Sequence, residues 1–280
     1  MAFDKRITPA RADLAALSLR GTVEADRFSA GERAIICAPV ADLLTRPMES
    51  SGLDTQGLFG ETVTVFERAN GWAWVQFHRD SYVGYMNLTA LSTEQEAATH
   101  WVTAVRAPVF SAADLKSPRR AFLPMNAQVQ VTETDGKYAR LGRLGWVATQ
   151  HIAPLSERAK DWVAVAETCW GAPYLWGGCT PDGLDCSGLV QVAHLAAGRK
   201  CPRDADMQEA ELGTALPQEQ WSQLRRGDLV FWKGHVGIMC SETELLHANA
   251  HHMCVAVEPL DKAVERIAAA SGPVTSVKRQ

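Results

Sequence analysis

The chain has 280 residues, of which 46% are apolar and 21% charged, with a formal net charge of −4. That length predicts two or three domains, each burying its own core, and the near-neutral balance excludes a basic footprint for nucleic acid. Residues 1–155 hold 16 Lys+Arg against 16 Asp+Glu and residues 156–280 hold 12 against 16, so neither half is built to cling to polyanions.

Residues 1–30 read as an N-terminal segment. Asp13 and Arg20 bracket only a six-residue apolar stretch there, too short for the apolar centre of a secretory signal. No uncharged apolar run approaches the roughly 18 residues a membrane-spanning helix needs, so no membrane partner is expected. The seven cysteines (37, 169, 179, 186, 201, 240, 254) are odd in number and scattered. Reduced thiols and a cytoplasmic location are the expectation.

Residues 31–95 carry short β-type runs separated by turns: "ETVTVFE" (61–67), "GWAWVQF" (71–77) after Asn70-Gly71, and "YVGYMNL" (82–88). Such spacing predicts a small barrel. Residues 96–155 repeat it, with "AQVQVTE" (127–133), Asp135-Gly136 and "LGWVATQHIAPL" (144–155) in matching places. Gly84-Tyr85 and Gly145-Trp146 lie 61 residues apart and Leu91 and Leu155 lie 64 apart, an internal duplication with divergent loops. Each copy resembles a bacterial SH3-like domain.

From Ser156 the texture changes, and residues 156–280 read as one domain. "SERAKDWVAVAETCWG" predicts a helix with Ser156 as N-cap, and "CSGLVQVAHLAAG" (186–198) a buried helix opening at Cys186. Strands are predicted at 228–232, 235–240, 244–250 and 254–260, with a closing helix at about 261–270. Helices followed by antiparallel strands make an α+β domain behind two small all-β barrels.

Cys186 raises the chemical question. A lone cysteine at the head of a helix is ordinarily a small buried core residue. Here Asp185 stands where an N-cap belongs, so the free N–H groups and positive end of the helix dipole favour a thiolate and can hold an oxyanion. A nucleophilic thiol needs a base, and His235 and His247 stand on successive predicted strands. Antiparallel pairing would set the two imidazoles side by side, with His235 as base and His247 as its orienting partner. A metal reading competes, because His247, His251, His252 and Cys254 lie close together. On one continuous strand, 247 and 251 would face opposite to 252 and 254, so no metal and no organic cofactor are expected.

"DCSGLVQ", "RRGDLVFWKGHVGIM" and "LLHANA" resemble the NlpC-type cell-wall cysteine peptidases, a papain-like family, over residues 160–260. With SH3-like domains ahead, the chain looks like the γ-D-glutamyl-L-diamino-acid endopeptidases. The resemblance implies a murein-peptide substrate, with Cys186 as nucleophile, His235 as base and His247 as orienter. It also implies an SH3-like domain that closes the site, through Tyr82 in "DSYVGYM", with Glu61 as a candidate for the substrate amine. Asp185 and Ser187 match positions that hold the peptide. Trp176 is either packing or a wall of the cleft. The expected activity is hydrolysis of the γ-D-glutamyl–diamino acid bond in recycled peptides with a free N-terminal L-Ala. The alternatives are amide hydrolysis on intact wall stems and a wall-binding module with an inert papain-like domain.

Overall fold

The computed structural model describes residues 3–94 and 97–280. Two compact units divide the chain, Met1–Glu157 and Arg158–Gln280. Both expected barrels fall in the first unit, and the boundary expected between residues 95 and 96 lies outside the described residues.

The first unit begins with β1 (Leu14–Ala16) and β2 (Arg27–Ser29), which pair in parallel. Residues 3–30 are thus packed onto the strands that follow. Leu14 is buried against Trp74 and Val83, Val83 donates its N–H to the Arg6 carbonyl at 2.7 Å, and the Arg11 guanidinium lies 4.4 Å from the Trp74 ring centroid. Next come β3 (Glu32–Ile36), β4 (Val40–Leu44), β5 (Leu53–Leu58), β6 (Thr62–Ala69), β7 (Trp72–Phe77), β8 (Val83–Asn87) and β9 (Leu91–Ser92). They form an antiparallel sheet in the order β5-β4-β8-β7-β6-β3-β9. Alternation in β6 sends Val63 and Val65 into the core while Thr62 and Thr64 stay partly exposed. Each such valine contributes roughly 1.5–3 kcal/mol of burial. Asn70 and Gly71 both take positive φ, as a two-residue type I′ hairpin requires.

The second half of this unit holds β10 (His100–Val102), β11 (Arg106–Phe110), β12 (Arg119–Pro124), β13 (Gln128–Val129), β14 (Glu133–Asp135), β15 (Tyr138–Leu141), β16 (Gly145–Ala148) and β17 (Ile152–Pro154). A single-turn 3-10 helix joins β8 to β9 at Leu88–Ala90 and β16 to β17 at Thr149–His151. Leu91 therefore corresponds to Ile152 rather than Leu155, which brings this end of the repeat to a uniform offset of 61 residues. The halves differ in one respect. β6 bends at a register shift between Val65 and Glu67, and at the matching place the expected strand over 127–133 is interrupted between β13 and β14. One sheet becomes two, ordered β12-β11-β16-β15-β14 and β13-β10-β17. The halves touch at Gly60, where a Cβ would stand 2.0 Å from the Gln128 carbonyl oxygen.

The second unit contains α1 (Trp162–Glu167), β18 (Cys179–Thr180), β19 (Gly183–Leu184), α2 (Cys186–Ala196), α3 (Ala205–Glu211), β20 (Thr214–Ala215), β21 (Leu229–Trp232), β22 (His235–Met239), β23 (Glu244–Asn249), β24 (Cys254–Pro259), α4 (Leu260–Ser271) and β25 (Val274–Arg279). The first helix starts later than expected. Asp161, not Ser156, caps it by accepting the Val163 and Ala164 N–H groups. The sheet runs β20-β25-β21-β22-β23-β24. α2 packs on β22 and β23, while Ala263 and Ile267 of α4 share a core with Val230, Trp232, Met239 and Leu245. Covered in this way, all four residues of β21 are buried, which explains its unbroken apolar run. The whole is α+β. Among the described residues no helix is long and apolar enough to cross a membrane.

Candidate active site

Cys186 opens α2 as the sequence predicts. The N-cap carboxylate of Asp185 accepts the Gly188 N–H at 2.7 Å and fixes the first turn. Gly188 has its own reason to be glycine, since a Cβ there would stand 2.2 Å from the Gly178 carbonyl oxygen. The four residues of D-C-S-G therefore fit one crowded junction between the 177–185 loop and the helix.

His235 and His247 meet as expected. Nε2 of His235 and Nδ1 of His247 are 2.8 Å apart, with the rings inclined at 61°. α2 packs on β22, and the Val236 N–H of that strand favours the ionised form of the Cys186 thiol. Burial pushes His235 down to about 3, aided by His247 and Arg266. His247 falls to about 4 by burial, although Glu258 pulls the other way. Both imidazoles are neutral at pH 7.

The expectation that the helix start makes Cys186 a resting thiolate needs correction. Burial, aided by Asp185, pushes the thiol up to about 12 against the opposing Val236 N–H, Arg203 and Ser187 N–H. Desolvation outweighs the dipole. The resting site is a neutral thiol served by a neutral base.

The residues expected to hold substrate sort differently. Asp185 receives Gly177 N–H, Gly188 N–H, the Ser187 hydroxyl and two Arg203 N–H groups. A carboxylate offers about four acceptor sites, so Asp185 is saturated by scaffold and has none left for a peptide. Ser187 donates to Asp185 at 3.2 Å and accepts from Arg203 at 2.9 Å. Trp176 is 72% exposed, which removes the packing reading. In the first unit, Glu61 is buried instead of reaching outward, because it accepts both the Arg79 guanidinium and the Leu58 N–H. A substrate amine would have to displace that arginine. Tyr82 is likewise buried, packed in the barrel core with Phe77, Val75 and Met86.

Four side chains escape the sequence reading. Arg203, 1% exposed, forms a two-pronged ion pair with Asp185. Tyr174 lies near the nucleophile: burial, then Cys186 and Asp185, push its phenol up to about 12. Glu258 accepts from His247 Nε2 at 2.8 Å, and Arg266 in turn holds Glu258. Residues 250–253 form a turn, not strand, so the opposite facing expected of 247 and 251 against 252 and 254 does not hold. His252 thereby comes round until its ligand atom and those of His247 and Glu258 lie within 4.8 Å of one another. His251 and Cys254 stand outside that group.

Comparison with known proteins agrees with this layout. Residues 171–266 match the NlpC/P60 family, and residues 43–91 match the bacterial dipeptidyl-peptidase Sh3 domain. The chain is 26% identical to a dipeptidyl-peptidase 6 of Lysinibacillus sphaericus over 82% of this chain and 92% of that one. It is also 26% identical to a gamma-D-glutamyl-L-lysine dipeptidyl-peptidase of Bacillus cereus, over 75% of this chain and 71% of the other. A crystal structure of an NlpC/P60 family protein from Bacillus cereus superposes with a TM-score of 0.75 at 21% identity, covering 89% of this chain and 99% of that one.

Proposed function

We propose that this chain, a cysteine peptidase with an NlpC/P60 domain behind a bacterial dipeptidyl-peptidase SH3 domain, hydrolyses the amide between the γ-carboxyl of D-Glu and a diamino acid in murein peptides. The observation that carries the reading is the His235–His247 contact on β22 and β23, the strands on which the Cys186 helix packs. The names of the relatives supply the bond.

The chemistry runs from a neutral pair. His235 takes the thiol proton as Sγ of Cys186 attacks the carbonyl carbon, so the nucleophile is generated only at attack. The negative charge passes to the carbonyl oxygen, which the N–H groups at the start of α2 are placed to stabilise. His235 returns the proton to the leaving amine and a thioester remains. Water, deprotonated by His235, then releases the acid and restores the thiol. No step calls for a metal or an organic cofactor.

The substrate we propose is a recycled peptide with a free N-terminal L-Ala, cleaved in the cytoplasm. Seven cysteines, odd in number and scattered along the chain, suit a reducing compartment. Digestion of L-Ala-γ-D-Glu-diaminopimelate followed by mass spectrometry is the test. L-Ala-γ-D-Glu and free diamino acid are the expected products, and cleavage on the other side of D-Glu would overturn the assignment. The N-acetylated tripeptide should be cleaved at least about tenfold more slowly in kcat/KM, since acetylation removes the amine's charge and adds bulk, and a loss of about 1.4 kcal/mol is already tenfold. Equal rates would instead favour action on intact, sugar-linked stems. Fractionation of cells tests the location.

A further inference from the structure

We infer that Glu258, held by Arg266, is a positioning residue that sets the tautomer of His235 through His247, so that one buried carboxylate decides which nitrogen of the base is free to receive the thiol proton. The inference rests on His235 acting as the base of Cys186.

Glu258 stands on β24, where its neighbour in register is Leu245 of β23, while His247 is paired with Ala256. Glu258 and His247 are therefore diagonal neighbours on adjacent strands, and Arg266 reaches Glu258 from α4. Although burial pushes the Glu258 carboxyl up, His247 and Arg266 hold it below its ordinary range, so it is ionised at neutral pH. An ionised carboxylate only accepts hydrogen bonds. The contact of 2.8 Å to Nε2 of His247 thus requires that nitrogen to carry the hydrogen.

A neutral imidazole has one N–H. With the hydrogen on Nε2, Nδ1 of His247 is bare and can only accept. Its contact of 2.8 Å with Nε2 of His235 then requires the hydrogen on that atom, which leaves Nδ1 of His235 bare for the thiol proton. Reversing the order would face two lone pairs at the Glu258–His247 contact and put a hydrogen on Nδ1 of His235, where a base must be empty. Without the carboxylate, both orders satisfy the His235–His247 bond equally. Glu258 also places a negative charge behind the imidazolium that forms when His235 takes the proton, as an orienting carboxylate does in serine–histidine–aspartate triads.

Glu258→Gln and Glu258→Ala, in EDTA-treated full-length protein, test this with two readouts. Ring-nitrogen NMR reports the tautomers directly. The wild type should show a single population with hydrogen on Nε2 of both histidines, and the variants a mixture. Turnover of the tripeptide should show kcat lowered by about tenfold or more with KM within about twofold. The triad aspartate that fixes a tautomer by direct contact is worth about 10⁴ in kcat, and Glu258 acts one residue further away. Iodoacetamide labelling of Cys186 should slow in parallel, and it needs no knowledge of the substrate. Glu258→Gln is nearly isosteric and keeps the test available if the alanine variant unfolds. Unchanged tautomers with kcat within twofold would overturn the inference. Loss of wild-type activity on EDTA treatment would also overturn it, by making His247, His252 and Glu258 metal ligands instead. If the tripeptide is not cleaved but labelling and tautomers shift as stated, the positioning role stands and only the substrate assignment falls.

Discussion

Each unit buries a carboxylate against an arginine, and the two pairs do different work. In the first unit Glu61 and Arg79 are 2.7 Å apart with side chains 8% and 9% exposed, and Glu61 also binds the Leu58 N–H. In the second unit Asp185 and Arg203 are 2.6 Å apart with side chains 11% and 1% exposed, and Asp185 also binds two backbone N–H groups. Both carboxylates are satisfied scaffold, although both occupy positions where a resemblance suggests substrate contact. What separates them is what they brace. Glu61 ties a turn of a barrel, whereas Asp185 sets the first turn of the helix that carries the nucleophile. A buried charge matters to catalysis through the element it fixes.

The largest effect expected at that helix is loss of the nucleophile. Cys186→Ala should lower kcat by about 10³-fold or more, by analogy with triad knockouts, while far-UV circular dichroism and the melting temperature stay near wild type. His235→Ala should cost a similar factor. Retention of a tenth of the activity in Cys186→Ala would end the nucleophile assignment.

Removing each arginine sharpens the contrast. Arg203→Met leaves Asp185 uncompensated and Arg79→Met leaves both Glu61 and Asp80 so, and each variant should lose at least about 3–5 kcal/mol of stability by denaturant titration. Only Arg203→Met should also slow iodoacetamide labelling of Cys186, because only Asp185 caps its helix. Equal slowing in the two variants would show that the pairs are not functionally distinct.

The same contrast marks what the sequence could tell. Cys186, His235 and His247 were legible because each sits in local pattern: an N-cap before a helical period, and two histidines on alternating strands. Arg203 was not, since arginine is ordinarily exposed and its partner lies 18 residues away across a helix. Glu258 left a fainter signal, an acidic residue breaking the apolar alternation of "CVAVEPL" on the face shared with Ala256. The turn at 250–253 was hidden because "HANAHHMC" carries no glycine or proline. Glu61 and Tyr82 stand just before β6 and β8; Glu61 is buried by Arg79 and Tyr82 by core packing against Phe77 and Met86, and no local rule reports either.

The smallest effect expected concerns pH, and it again separates the units. His194, His235 and His247 of the second unit are all held below the ordinary histidine range, chiefly by burial. The first unit's His78 is shifted the same way but is exposed. A depressed histidine is neutral when folded and protonates on unfolding. The unfolded chain therefore binds more protons once pH drops below about 6.5, and stability is lost progressively from there down through the folded values of about 3 and 4. At pH 5.5, His235 and His247 should each cost the second unit about 1 kcal/mol, or several degrees of melting temperature between them. Carboxylates with lowered values, such as Asp161 and Glu258, act in the same direction only at more acid pH, so the interval from 7 to 5.5 isolates the histidines. Activity should behave differently from stability there. The base stays unprotonated in the folded enzyme, so kcat/KM should show no acid limb at 6.5 and should fall only where the protein itself unfolds. Calorimetry at pH 7 and 5.5, beside a pH–rate profile, makes the check. A melting temperature independent of pH over that interval, or an acid limb at 6.5, would mean that His235 is open to water and that burial does not shape the base.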